Sequence, residues 1–131
     1  MLRLGRKQEI IRVVSDQFGC PTYAADLADA IFSVINHFKG GNDLKWGTYH
    51  YCGGDATTWH GFAEAIFSYA KQYNSLVVKK VEPIASAEFP TPAKRPANSV
   101  LNCALIEKQF GIRTRPWEES LADMLEQFFS K

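Results

Sequence analysis

Between Tyr23 and Phe38, apolar residues return every three or four positions: Tyr23, Leu27, Ala30, Ile31, Val34, Ile35 and Phe38. That period fits an α-helix with one apolar stripe, and such a stripe must be buried against something. Asp26 suits the positive end of the helix dipole, Thr22 can cap the start, and Gly40-Gly41 ends it. Immediately before it, Ile10-Ile11-Arg12-Val13-Val14 is rich in β-branched residues and reads as a strand. The loop between them, Ser15 to Thr22, holds Gly19 and Pro21, which favour a sharp turn followed by extended chain. A strand leading through a loop into an amphipathic helix predicts an α/β fold.

The rest of the chain repeats the alternation. Thr48-Tyr49-His50-Tyr51-Cys52 reads as a strand ending at Gly53-Gly54, with His50 facing outward. Thr57 or Thr58 then caps a second helix carrying Phe62, Ile66, Phe67, Ala70 and Tyr73 on one face, with His60 in its first turn. Leu76 to Val81 reads as another strand. Four prolines from Pro83 to Pro96 predict an extended, irregular loop. Asn102 suits the cap of a short helix closing on Gly111, with Leu101 and Ile106 as a hydrophobic staple. A last helix starts at Pro116 with the stripe Trp117, Leu121, Met124, Leu125 and Phe128. At the other end, Met1, Leu2 and Leu4 read as the end of a helix, with Gly5 as its terminator. About four helices and three short strands leave more apolar face than they can cover. The expectation is one domain over residues 1–131, part of a larger sheet.

Composition narrows the function. A net charge of +1 gives no general surface for nucleic acid, and the apolar runs of a few residues are too short to cross a membrane. Cys20, Cys52 and Cys103 form no CxxC pair, so reduced thiols in a cytoplasmic protein are expected, with Cys103 filling core space. His37, His50 and His60 lack metal-ligand spacing; His37 suits a helix end. No glycine-rich dinucleotide cradle follows a strand into a helix, and no tyrosine is followed four positions later by lysine. No catalytic, cofactor-binding or metal residue is therefore assigned in this chain.

Three stretches carry a more specific signal. They are Val13 to Thr22 with Ala25-Asp26-Leu27-Ala28; Gly47 to Gly54 with Thr57-Thr58-Trp59 and Phe62-Ala63; and Phe89 to Asn102 closed by Pro116 to Leu121. In order and spacing they resemble the dTDP-4-dehydrorhamnose reductase family of extended short-chain dehydrogenases, from Met1 to Phe128. The resemblance implies the carboxyl-terminal, sugar-nucleotide-binding part of such an enzyme. The Rossmann half, roughly 150 residues by ordinary domain size, would lie elsewhere and would bind NADPH or NADH. The implied reaction is reduction of dTDP-4-dehydro-L-rhamnose for bacterial surface polysaccharide, and this part alone would be inactive. The implied partners are the dTDP-sugar, the Rossmann half, and a second copy if the enzyme is a homodimer.

By the same resemblance Arg95 falls where extended family members place an arginine against the substrate's phosphates. A guanidinium fork suits a diphosphate, and flanking prolines stiffen its loop. The bland alternative is a surface arginine stacked on Pro96 or paired with a carboxylate. Asn98 is read equally as a binding residue or a turn former, and Gln17 as an amide facing the cleft or one that ties down a loop. A second reading of the chain is a non-catalytic regulatory subunit, since the β subunit of methionine adenosyltransferase has a similar Arg-Pro-x-Asn stretch.

Overall fold

The computed structural model describes residues 1–41 and 45–130. It is a mixed α/β fold whose described residues form five helices and four strands: α1 (Leu2–Gly5), β1 (Ile10–Val14), β2 (Phe18–Gly19), α2 (Ala24–Lys39), β3 (Thr57–Thr58), α3 (Trp59–Ala70), β4 (Lys80–Ile84), α4 (Ala104–Phe110) and α5 (Trp117–Phe129). A single 3-10 turn, Ser86–Glu88, follows β4.

β1 and β4 pair in parallel, from Ile10 opposite Lys80 to Val14 opposite Ile84. Parallel strands need a long crossover. Here α2 and α3 both lie in it. α3 packs on this pair and on α5. The core joins Ile11 and Val13 of β1, Val78, Ala63, Ile66 and Phe67 of α3, and Trp117, Leu121 and Leu125 of α5. Leu125 is 1% exposed, and burial of a leucine side chain contributes about 2 kcal/mol. The periodic positions of α3 and α5 therefore face the core as the spacing predicts, except at their ends. Tyr73 lies beyond the end of α3 and Phe128 is exposed.

Gly5 is not a terminator. It sits inside the last turn of α1, buried, and Arg6 ends the helix. A Cβ at Gly5 would lie 2.6 Å from Cε1 of Phe67, so the position is small because α3 passes against it.

Several boundaries differ from the sequence reading. Leu76–Val81 does not form the strand; β4 starts at Lys80 and runs through Pro83. The amides of Val77 and Val78 donate to the carbonyl of Gly5, and those of Lys79 and Lys80 to that of Glu9. That stretch is thus tied to the exit of α1, and pairing begins only where β1 does. Pro83 is tolerated because β1 is the only described strand beside β4. The segment from Pro83 to Pro96 accordingly opens with the end of a strand and a 3-10 turn before it becomes irregular.

Thr48–Cys52 has strand alternation but is not a strand, because no described strand lies beside it. His50 is exposed on it all the same. Thr22 does not cap α2. Tyr23 holds that position without a side-chain cap, because the Thr22 hydroxyl donates to the Cys20 carbonyl and accepts from the Gly53 amide. Cys103, not Asn102, takes the N-cap position of α4, although Oδ1 of Asn102 accepts from the amide of Ala104. Gly111 closes α4 in the left-handed region at φ 68°, as expected. Pro116 precedes the first residue of α5 and occupies its N-cap.

The helix with the clearest stripe is the least covered. Leu27, Ile31, Ile35 and Phe38 of α2 are all 40% exposed or more, and only Ala30 is buried. His37 in its last turn meets the ring of Phe110 edge-on at 5.3 Å. Cys103 is half-buried, its Sγ 3.6 Å from that of buried Cys52. Burial pushes both thiols above the usual cysteine range.

Candidate functional site

A cavity of about 540 Å³ forms where three remote stretches meet. β2 pairs antiparallel with β3, Phe18 opposite Thr58 and Gly19 opposite Thr57. The other edge of β2 is held by the segment after the prolines. The amide of Phe18 donates to the carbonyl of Ala97, and the amide and hydroxyl of Ser99 both donate to the carbonyl of Phe18. Gln17 to Thr22, Thr57 to Trp59 with Phe62, and Arg95, Pro96 and Ser99 thus surround one space.

Local chemistry fixes each wall. Thr58 caps α3, its hydroxyl oxygen accepting from the amide of Gly61 at 3.0 Å, so Trp59 projects from the first turn of a held helix. Phe62, one turn on, meets Trp117 edge-to-face at 5.6 Å and joins the wall to the core. Asp16 anchors the loop before β2. Its two carboxylate oxygens each accept from the amide of Ser86 at 3.0 Å, and Oδ1 accepts from the Ser86 hydroxyl at 2.6 Å. These bonds hold the Asp16 carboxyl below the usual aspartate range.

The three sequence candidates part company here. Arg95 lines the cavity, is exposed, and has no described carboxylate within ion-pair reach. Arg12, Arg113 and Arg115 by contrast are all paired with carboxylates. Gln17 also lines the cavity, while its Nε2 donates to the Ser86 hydroxyl at 2.8 Å, so its amide ties a loop as well. Asn98 does not line it. Its Oδ1 accepts from the amide of Val100, which is turn chemistry, and its backbone bridges Phe18.

The sequence reading missed Phe18, which falls in a stretch read as loop, and took Trp59 only as part of a motif. A tryptophan directly after a Thr-Thr cap was the available signal, since the first helical residue projects beside the loop that precedes it. Among the described residues, the cavity lining holds no histidine, carboxylate, lysine or tyrosine. What it does hold is an aromatic wall, small hydroxyls and one guanidinium. Such a set can bind and orient a ligand with a flat ring and an anionic group.

Residues 1–130 match the family model described as the RmlD substrate binding domain. A dTDP-4-dehydrorhamnose reductase of Aggregatibacter actinomycetemcomitans is 39% identical over 125 residues, 95% of this chain and 42% of that protein. The crystal structure of a dTDP-4-dehydrorhamnose reductase from Clostridium acetobutylicum superposes with a TM-score of 0.83 at 36% identity, covering 96% of this chain and 41% of that one. The Bacillus anthracis reductase, solved in complex with NADP, gives 0.80 at 36% identity over 95% and 41%. The chain thus spans about two-fifths of the length of the relatives it matches. With residues 1–130 matched by the model, the chain belongs to the RmlD substrate binding domain family.

Proposed function

We propose that this chain is the sugar-nucleotide-binding part of an NAD(P)H-dependent dTDP-4-dehydrorhamnose reductase. One observation carries the reading: the family match spans residues 1–130, and the stretches that make up the cavity lie within it. In the intact enzyme, hydride passes from the reduced nicotinamide to the C4 carbonyl of dTDP-4-dehydro-L-rhamnose, giving the alcohol of dTDP-L-rhamnose. The Rossmann half supplies the dinucleotide site and the proton donor. Residues of this chain hold the substrate, with Arg95 meeting the diphosphate, Gln17 facing the same cleft and Asn98 shaping the turn beside it. The enzyme is cytoplasmic, works with NADPH or NADH, and serves surface-polysaccharide synthesis. The named relatives favour this over a regulatory subunit.

The test compares the full-length protein with the 131-residue chain for oxidation of reduced nicotinamide in the presence of dTDP-4-dehydro-L-rhamnose. Turnover by the full-length protein and none by the chain is expected. A full-length protein without turnover would overturn the reading.

A further inference from the structure

We infer that Cys52 and Cys103 form a dithiol site that a small-molecule disulfide such as oxidised glutathione closes to an intramolecular disulfide, locking the start of α4 to the segment before Gly53.

The two sulfurs lie 3.6 Å apart, although 51 positions separate them in the chain. Each also reaches toward the carbonyl oxygen of Leu101 at 3.9 Å, so both thiols converge on one point. An S–S bond is about 2.05 Å long, so about 1.5 Å of approach, shared between two side chains, closes it. Burial holds both thiols above the ordinary value, so the resident pair is neutral and no charge repels the sulfurs.

A thiol is also a small apolar filler, and contact alone would be packing. The surroundings add more than contact. A second cavity, of about 350 Å³, is lined by both residues and by Cys20, so the sulfurs border open space. Cys52 is 6% exposed and Cys103 half-buried, so one thiol is open to a reagent while its neighbour is shielded. That is the asymmetry of an attacking and a resolving thiol.

The exchange takes two steps. Cys103 loses its proton and attacks one sulfur of oxidised glutathione, and the other glutathione leaves and takes up that proton. Cys52 then loses its proton, attacks Sγ of Cys103 and expels the second glutathione, again as the thiol. Two protein thiols are oxidised to one disulfide, and one small disulfide is reduced to two thiols. Cys103 holds the N-cap position of α4, and Cys52 adjoins Gly53, whose amide bonds to Thr22. The new bond closes a loop that contains α3 and β4, which removes freedom from the unfolded chain.

The full-length protein is incubated with oxidised glutathione, its remaining thiols are blocked with iodoacetamide, and its peptides are mapped by mass spectrometry without reduction. A peptide cross-linked between Cys52 and Cys103, two hydrogens lighter than its parts and split by dithiothreitol, is expected. The urea midpoint of the oxidised protein should lie about 1 M above that of the reduced protein. Cys103→Ser should lose both the cross-linked peptide and the rise, and Cys20→Ser should keep both. The peptide map of the parent decides the site even if a variant folds poorly. Cys52 and Cys103 both recovered as alkylated peptides, a glutathione adduct that stays on Cys103, or a cross-link between Cys20 and Cys52 each overturns the site. A bond between Cys52 and Cys103 that leaves the midpoint unchanged or lowered overturns the lock.

Discussion

Gly53 lies so close to Pro21 that a methyl group on its Cα would overlap the carbonyl oxygen of Pro21. The amide of Gly53 is tied to the same loop, donating to the hydroxyl oxygen of Thr22. On the next residue, Gly54 exchanges backbone bonds with Arg115 and Trp117. The two glycines therefore clamp the cavity loop to the start of α5.

Gly53→Ala should break this clamp. The obstructing atom is backbone, so no side chain can swing aside, and overpacking of that kind costs typically 1–3 kcal/mol. Urea unfolding of the chain is expected to show a loss in that range. A change below about 0.5 kcal/mol would mean that the Pro21 loop yields easily and is not held as described.

The same pair explains what could be read from the sequence and what could not. β1, α2, α3, α4 and α5 were legible because each carries its own period and end signals, as Gly111 does for α4. Strand pairing was not, because it depends on a partner remote in sequence. Leu76 to Lys79 reads as part of a strand but bonds to Gly5 and Glu9, and Thr48 to Cys52 alternates with no described strand beside it. Thr22 has the chemistry of a cap, yet Gly53, 31 residues away, takes its hydroxyl. At the site, Arg95 and Gln17 line the cavity, whereas Asn98 is spent on its turn. Phe18 became visible only when β2 paired with β3 and placed it on the cavity lining.

Cys52 and Cys103 give an alkaline signature. Burial raises both thiols above the ordinary value of 9.0, so the folded chain favours the protonated forms. Their contribution to stability is fully present below pH 9 and is lost as pH rises through the folded-state values. Urea midpoints should fall above about pH 9, and Cys52→Ala should flatten that fall. Parent and variant curves of equal slope would remove the thiols as its cause.

Asp16 gives the acid counterpart. Its bonds to the hydroxyl and amide of Ser86 lower its carboxyl from 3.8 in the folded state. The stabilisation is present above that value and is lost as pH falls through the folded-state one. Asp16→Asn should melt at a lower temperature than the parent at pH 6, with the gap closing below about pH 4. A gap that stays constant down to pH 2.5 would show that the charge of Asp16 contributes nothing.

Arg95 separates binding of the two substrates in the full-length enzyme. Its guanidinium lies on the lining of the cavity, exposed and without a described carboxylate partner. Loss of a charge-assisted contact from a partly solvated site is worth about 1.5–3 kcal/mol, or about ten- to a hundredfold in affinity. Arg95→Ala should therefore raise KM for the sugar nucleotide by that factor and leave KM for the nicotinamide cofactor within about twofold. Arg95→Lys should recover only part of the loss, because a point charge replaces the two-donor fork. Thermal stability should hardly move, since Arg95 lies outside the buried core. If Arg95 were only a surface residue, both KM values would stay at those of the parent. If it propped up the loop, kcat, both KM values and the melting temperature would change together. A selective rise in the sugar-nucleotide KM with an unchanged melting curve is the outcome that only diphosphate binding produces.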